Sequence, residues 1–315
     1  MSVTSGSVTA ASETHRVGRI QSFAGRRRFE GWLMVAPAIV VFLALGIFPL
    51  IYSLVISFQR RDLMRANTNE WVGFANYSKA LRDDRVWNAL QNTIGLTVFG
   101  IAIEFVLGLG LALILVDELR GKRFIIPILM LPVMMVPVIV ALIWRMLWDN
   151  QYGAINQILS WIAGHDVNIV WLLTDKNRSL VAILVTQVWQ WMPFMFLIML
   201  AGLAGISPDL YEAAALDGAS WWHTFRDITL PGLANVIAVS ILFRAMDAFK
   251  IFDLIFMMTK GQPGTSTETV SWYIYDRGRQ ALEMGYAAAL SFLFLIFVTI
   301  VATIYISRFL RGHEA

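Results

Sequence analysis

The sequence predicts an all-α integral membrane protein with six transmembrane helices, from its composition and from the length and continuity of its apolar stretches. Of its 315 residues, 57% are hydrophobic and only 15% are charged, and the mean hydropathy is +0.63. Soluble domains are roughly 45–50% apolar and about 25% charged. A soluble chain of this length could not bury so much apolar surface, and disordered chains are poor in these residue types.

Six continuous apolar stretches are long enough to cross a bilayer, which takes about 20 residues in a helix. Backbone groups in lipid must be paired within the segment, and a barrel would need short alternating stretches instead. The predicted spans are 32–58, 93–116, 124–147, 180–206, 233–259 and 285–309. They form one six-span domain over 32–310, between a flexible polar N-terminal tail (1–31), read as leading into an uncleaved anchor, and a C-terminal tail (311–315).

The charged residues do not predict the orientation of the chain in the membrane. Together with the absence of certain motifs, they argue against several functions. Lys and Arg number 11 on each side of the predicted spans, so the positive-inside rule leaves the topology undecided. The net charge of +3 is small and scattered, which argues against nucleic acid as a partner. There is no Cys, the four His are far apart, and no phosphate-binding G-x-x-x-x-G-K-[ST] loop occurs. We therefore expect no metal and no bound ATP in this chain.

The polar loop between the fourth and fifth spans, residues 207–231, predicts a short amphipathic helix. Pro208 suits its first position, and Gly218 suits a left-handed residue at its end. A second short helix is predicted over Trp221–Arg226 before the fifth span. The first helix could lie on the membrane interface, or it could dock into a groove on another protein.

This loop also carries a recognisable motif. Glu212-Ala213-Ala214 is followed after three residues by Gly218, after nine more by Ile228, and after one more by Leu230-Pro231. The motif resembles the EAA signature of permease subunits in binding-protein-dependent ABC importers. Further segments resemble the carbohydrate, maltose-permease-like branch of that family: 71–77, 91–93, Pro132, Pro137, Trp144, Gly153, Asn156, 252–263, Thr267 and 273–275. The likeness covers about residues 30–310, and Gln262 departs from it, since relatives often have a second glycine there.

The resemblance implies a type I ABC importer transmembrane-domain fold whose cytoplasmic coupling helix inserts into a cleft of an ATPase subunit. It implies partners: a second homologous permease, two copies of an ABC ATPase that bind ATP and Mg, and an extracytoplasmic solute-binding protein. The chain would itself be no enzyme and would hold no cofactor. It would lie in the bacterial cytoplasmic (inner) membrane with both termini cytoplasmic. The residues implied in ATPase coupling are Glu212, Ala213, Ala214, Gly218, Leu230 and Pro231.

Apart from Arg308 at the end of the last span, six ionisable residues lie within the predicted spans, although each costs roughly 2.5–3.5 kcal/mol at mid-helix on insertion scales. They are Glu104, Arg145, Arg244, Asp247, Lys250 and Asp253. The last four recur every third residue with alternating sign, so neighbours can touch along one helix. Either they form an ion ladder that packs against a partner subunit, or some of them line the translocation path.

The fourth span carries amides and aromatic rings at Gln187, Trp189, Gln190 and Trp191. Amides can pair with sugar hydroxyls, and flat aromatic faces suit the C–H side of a sugar ring. Tryptophans near a span boundary are also typical interface anchors. With Arg244 and Asp247, these four are the candidates for the substrate path.

The sequence thus predicts a permease subunit of an ATP-driven importer for a sugar, sugar derivative or polyol, working by alternating access. The alternative is a stand-alone ion-coupled secondary transporter of a small polar solute. The matched acids and bases argue against a proton relay. The sequence leaves open whether the sugar is neutral or anionic, and whether this subunit or its partner holds it.

Overall fold

The computed structural model describes residues 34–64, 69–116 and 121–310. The predicted tails, 1–31 and 311–315, lie outside the described residues. The chain divides between Ile56 and Ser57 into two compact units. The helices are α1 Met34–Ser57, α2 Ala75–Leu81, α3 Asp84–Leu115, α4 Lys122–Met134, α5 Pro137–Leu147, α6 Ala154–Ala163, α7 Lys176–Ala204, α8 Pro208–Leu216, α9 Trp221–Ala248, α10 Asp253–Met258, α11 Val270–Tyr275 and α12 Met284–Phe309. Two short antiparallel strands, β1 Gln59–Arg60 and β2 Glu70–Trp71, follow α1.

Within the described ranges, five helices are long and apolar enough to cross a membrane, or six if the bent pair α4 and α5 counts as one span. The five are α1, α3, α7, α9 and α12. This pattern confirms the predicted all-α membrane fold. The first unit consists, in its described part, of α1 without its last residue, and this helix contains a π-helical turn at Leu43–Ile47.

The third span, predicted over 124–147 with prolines that favour a kink, is broken into two helices. Helices α4 and α5 meet at 96°, with Met135 and Val136 in extended conformation between them. Pro137 causes the break, because a proline disfavours the helical conformation of the residue before it and donates no backbone hydrogen bond. The carbonyl of Met135 accepts a hydrogen bond from Nε2 of Gln190 at 3.3 Å.

The fifth span differs from the expected 233–259 at both ends. It begins as early as Trp221 and passes through a π-helical turn at Phe225–Thr229. This turn lies directly before Pro231, whose ring would clash with the carbonyl four residues earlier in a regular α-helix. The span ends at Ala248, and its remaining predicted part is the separate helix α10.

The break between α9 and α10 has no proline or glycine. The carbonyl of Ile251, inside the break, accepts a hydrogen bond from Oγ1 of Thr269 at 3.0 Å. Such pairing is required because an unsatisfied backbone group at membrane depth is costly. Since Lys250 and Asp253 lie beyond the end of α9, the four charges do not form a ladder on one helix.

Helices α3 and α7 pack closely along a face of small residues on α3. Gly100, Gly108 and Ala112 are separated by four or eight residues and share this face with Glu104. A Cβ atom at Gly108 would lie 2.8 Å from both the Cβ of Met195 and the backbone nitrogen next to it. The missing side chains therefore let the two helices approach each other.

Side chains at the start of α3 bind the segment between α10 and α11. Asn92 donates to the carbonyls of Ser266, at 2.7 Å, and Glu268, at 2.9 Å. Oγ1 of Thr93 accepts from the backbone nitrogen of Val270 at 3.0 Å. Because Asn92 and Thr93 lie in a segment that carries the family resemblance, these contacts give that part of the motif a structural role.

A partly buried carboxylate joins the same end of α3 to α11 and α12. Asp83 accepts hydrogen bonds from the hydroxyls of Tyr273, at 2.5 Å, and Tyr286, at 2.7 Å. Burial alone would raise the pKa of Asp83, but these hydrogen bonds hold the pKa below its ordinary value. Burial and the bond to Asp83 raise the pKa of Tyr273 to about 12. The carboxylate therefore stays charged at neutral pH and ties three helices together.

Candidate functional site

A cleft of about 260 Å³ lies where the two helix breaks approach α7 and α9. Non-helical backbone is tolerated at membrane depth where it lines a cavity, as the break between α9 and α10 does here. Five of the six predicted path residues line this cleft: Gln187, Gln190, Trp191, Arg244 and Asp247. The lining is completed by Pro137, Ala248, Lys250, Ile251, Phe252, Asp253 and Leu254.

Trp189, the sixth predicted path residue, does not line the cleft. Residues 187, 190 and 191 share one face of α7, and a residue at 189 projects from another face, because each residue turns the helix by about 100°. The ring of Trp189 is 37% exposed and packs edge-on against Trp144, with 5.5 Å between ring centroids. The structure therefore separates Trp189 from the other candidates.

A buried ion pair forms one wall of the cleft. Nε and Nη2 of Arg244 donate to the two carboxylate oxygens of Glu104 at 2.7 and 2.9 Å. Nη1 of Arg244 donates to Asp247 at 3.3 Å, and the guanidinium carbon lies 4.6 Å from the centre of the Trp191 ring. Arg244 is 2% exposed and Glu104 is completely buried. One guanidinium is thus held by two carboxylates and an aromatic face.

The pairing of Glu104 with Arg244 was not predicted from the sequence, in which the two residues are 140 positions apart. The equal numbers of acids and bases within the spans indicated pairing but not the partners. Of the remaining charges, Lys250 contacts Asp247 at 3.7 Å, with its side chain 71% exposed. Arg145 lies apart from the cleft lining and donates to the carbonyl of Met257 at 2.9 Å.

The side-chain amides of Gln187 and Gln190 each have an oxygen without a hydrogen-bond partner among the described residues. Both side chains are buried, and their Nε2 atoms face the backbone carbonyls of Leu96, at 3.5 Å, and Met135, at 3.3 Å. These carbonyls fix the orientation of each amide, because a flipped amide would put two oxygens together. Neither Oε1 atom has a hydrogen-bond partner among the described residues.

The predicted amphipathic helix in the loop after α7 is α8, which begins at Pro208 and ends before a left-handed glycine. Gly218 has φ +70°. Its backbone nitrogen donates to Ala215 at 3.2 Å, and that of Ala219 donates to Ala214 at 2.9 Å. This is the Schellman arrangement, in which a glycine ends a helix without steric cost. It fixes the direction in which the chain leaves α8.

The motif residues divide between a free face and a buried side of α8. Glu212 and Ala213 are exposed, whereas Ala214 is buried. A cavity of about 530 Å³ beside α8 is lined by Glu212 together with Tyr211, Trp221 and Phe225, among others. Leu230 and Pro231 lie apart from α8, directly after the π-helical turn of α9.

A polar cleft between broken helices, inside a bundle of membrane-spanning helices, is the arrangement of a membrane transport protein. Residues 118–312 match the family described as the binding-protein-dependent transport system inner membrane component. The chain belongs to this family. Within the described residues, no group of three or more His, Cys, Asp or Glu could hold a metal ion.

Similar proteins cover nearly the whole chain. The trehalose transport system permease protein SugA of Mycobacterium tuberculosis is 34% identical over 303 residues, 96% of this chain and 95% of SugA. The trehalose/maltose transport system permease protein MalF of Thermococcus litoralis is 34% identical over 283 residues, 89% of this chain and 94% of MalF. A crystal structure of a bacterial alginate ABC transporter, in complex with an alginate pentasaccharide-bound periplasmic protein, contains a chain with TM-score 0.77 and 25% identity. That match covers 90% of this chain and 95% of the other.

These findings confirm the predicted permease subunit of a binding-protein-dependent ABC importer with the type I fold. The chain is a transport subunit, and ATP hydrolysis belongs to separate subunits of such importers. The family match and the similar proteins give no support to the alternative of a stand-alone secondary transporter.

Proposed function

We propose that this chain forms the translocation path for a sugar or sugar derivative and contacts it in the cleft between α7 and α9. The observation that carries the proposal is the pair of unpartnered acceptors on Gln187 and Gln190. A buried amide oxygen without a partner is costly, and a hydroxyl of a bound sugar would satisfy it once the amide turns its oxygen toward the cleft. The ring of Trp191 adds an apolar surface at the same site. The names of SugA and MalF also support a sugar.

The importer would contain a second homologous permease, two copies of an ATPase that bind ATP and Mg, and a solute-binding protein outside the membrane. Glu212 and Ala213, on the free face of α8, would contact the ATPase. This role requires α8 to be cytoplasmic. The even number of spans then places both termini in the cytoplasm, and the chain in the inner membrane.

Substitution within the cleft tests the substrate role. We expect Gln187→Ala and Trp191→Ala each to reduce ATP-driven sugar uptake about tenfold, the effect of losing one or two net hydrogen bonds or an aromatic contact. The assay is uptake of radiolabelled trehalose, and of a panel of other sugars, by cells that express the complete importer. Trp189→Ala is the matched control, because it removes a tryptophan from α7 outside the cleft. Unchanged uptake in both cleft variants at normal expression would refute the substrate role.

A further inference from the structure

The sugar class can be narrowed from the charges around the cleft, on the basis of the function proposed above. The fold does not by itself exclude an anionic substrate, since a transporter of similar fold is involved in the import of alginate, an acidic polysaccharide. The question is therefore decided by the side chains of this chain. We infer that the cleft selects a neutral, hydroxyl-bearing sugar, and that Glu104 excludes anionic sugars by occupying the guanidinium of Arg244.

The buried cation of the cleft, Arg244, is already compensated by carboxylates of this chain. Arg244 makes two short hydrogen bonds to Glu104 and a third to Asp247, and Trp191 covers its face. A carboxylate or sulfonate on a substrate could use only the two guanidinium N–H groups that these bonds leave. It would gain little there, because Glu104 and Asp247 already balance the cation and repel a third anion.

The site as a whole has a negative formal charge. The cleft lining contributes Asp247 and Asp253 against Arg244 and Lys250, and Glu104 lies directly behind Arg244. Three carboxylates therefore oppose two cations, a formal charge of −1. Lys250 does not offset this at the buried wall, because its side chain is 71% exposed and already contacts Asp247. An anion entering the cleft meets a like charge in a region of low dielectric.

Among the described residues that line the cleft, the buried side-chain atoms without a hydrogen-bond partner are acceptors. They are the Oε1 oxygens of Gln187 and Gln190. The carboxylate or sulfonate of an anionic sugar offers only acceptors and cannot satisfy them, whereas the hydroxyl that a neutral sugar has in its place donates. The cleft is therefore complementary to hydroxyl donors.

The test uses D-glucuronate and D-glucose, which differ in having a carboxylate or a hydroxymethyl group at C5. Equilibrium dialysis would measure binding of each radiolabelled probe to the assembled importer in nanodiscs, without binding protein. We expect Glu104→Gln to bind glucuronate about tenfold or more tightly than the unmodified chain, because the guanidinium gains a free side for a charge-assisted bond. Binding of glucose should not increase. A purely structural role of Glu104 would weaken binding of both probes together.

Two further variants make the result decisive. In the double variant Glu104→Gln with Arg244→Gln, the gain for glucuronate should disappear, since the cation is absent. Asp247→Asn, at a partly exposed position, should give a smaller gain in the same direction, and it decides the matter if Glu104→Gln does not assemble. Equal glucuronate binding by the unmodified chain and the tested single-site variant, or a gain that persists in the double variant, would overturn the inference.

The uptake assay separates this inference from the proposed function. ATP-driven uptake of a carboxylated sugar by the unmodified importer would leave the permease function standing and refute the charge selection. Absence of ATP-driven uptake for every sugar in the panel would refute the proposed sugar transport itself.

Discussion

Replacing Glu212 by lysine is expected to leave the permease inserted and assembled in the membrane but to reduce ATP-driven uptake about thirtyfold or more. Glu212 is exposed on α8 and borders the cavity beside it, so its carboxylate is available to a partner. Placing like charges opposite each other across an interface costs several kcal/mol, and each 1.4 kcal/mol is a factor of about ten. The measurements are membrane yield, co-purification of the ATPase, and sugar uptake by cells expressing the complete importer.

Asp217→Lys is the matched control, because it makes the same change of charge at the end of the same helix. Five residues after Glu212, position 217 lies about 140° further around the helix axis. Asp217 is exposed, and lysine near a helix C-terminus is favourable for the helix dipole. We expect nearly normal uptake in this control. Normal uptake by a well-expressed Glu212→Lys variant would contradict the coupling role of α8.

Features set by neighbouring residues could be predicted from the sequence. The left-handed conformation of Gly218 follows from its place after a short helix that begins at Pro208. The prolines of the third span favour a kink, and the structure has one of 96° directly before Pro137. Helical periodicity also places Gln187, Gln190 and Trp191 on the same face of α7. The same periodicity could have separated Trp189 from them.

Features set by distant residues could not be predicted. The end of α9 at Ala248 has no proline or glycine, and its broken backbone is satisfied by Thr269, which is 18 positions from the carbonyl that it binds. Likewise, Arg244 has an acidic neighbour, Asp247, on its own helix, and nothing local indicates that Glu104 on α3 is its main partner. Their pairing depends on how α3, α7 and α9 pack, which no local pattern encodes.

This packing gives a second prediction, at the contact between α3 and α7. Gly108→Ala is expected to destabilise the permease by about 1–3 kcal/mol, the usual effect of overpacking a tight core. The new Cβ atom would lie 2.8 Å from the backbone nitrogen of Phe196, which cannot move without moving α7. The measurement is the thermal unfolding midpoint of the purified importer, followed by loss of monodispersity on heating.

The effect should extend to the cleft, because Glu104 and Gln187 lie along the same contact between α3 and α7. Glu104 is one helical turn from Gly108 on α3, and Gln187 is about two turns from Met195 on α7. A Gly108→Ala variant that still assembles should therefore take up sugar more slowly than its expression level accounts for. Gly110→Ala is the matched control: a Cβ atom there meets nothing within 4 Å. Alanine favours a helix over glycine by about 1 kcal/mol, so this control should unfold at an equal or slightly higher temperature. If both variants behaved alike, the close approach of α3 and α7 would not be what holds the walls of the cleft in place.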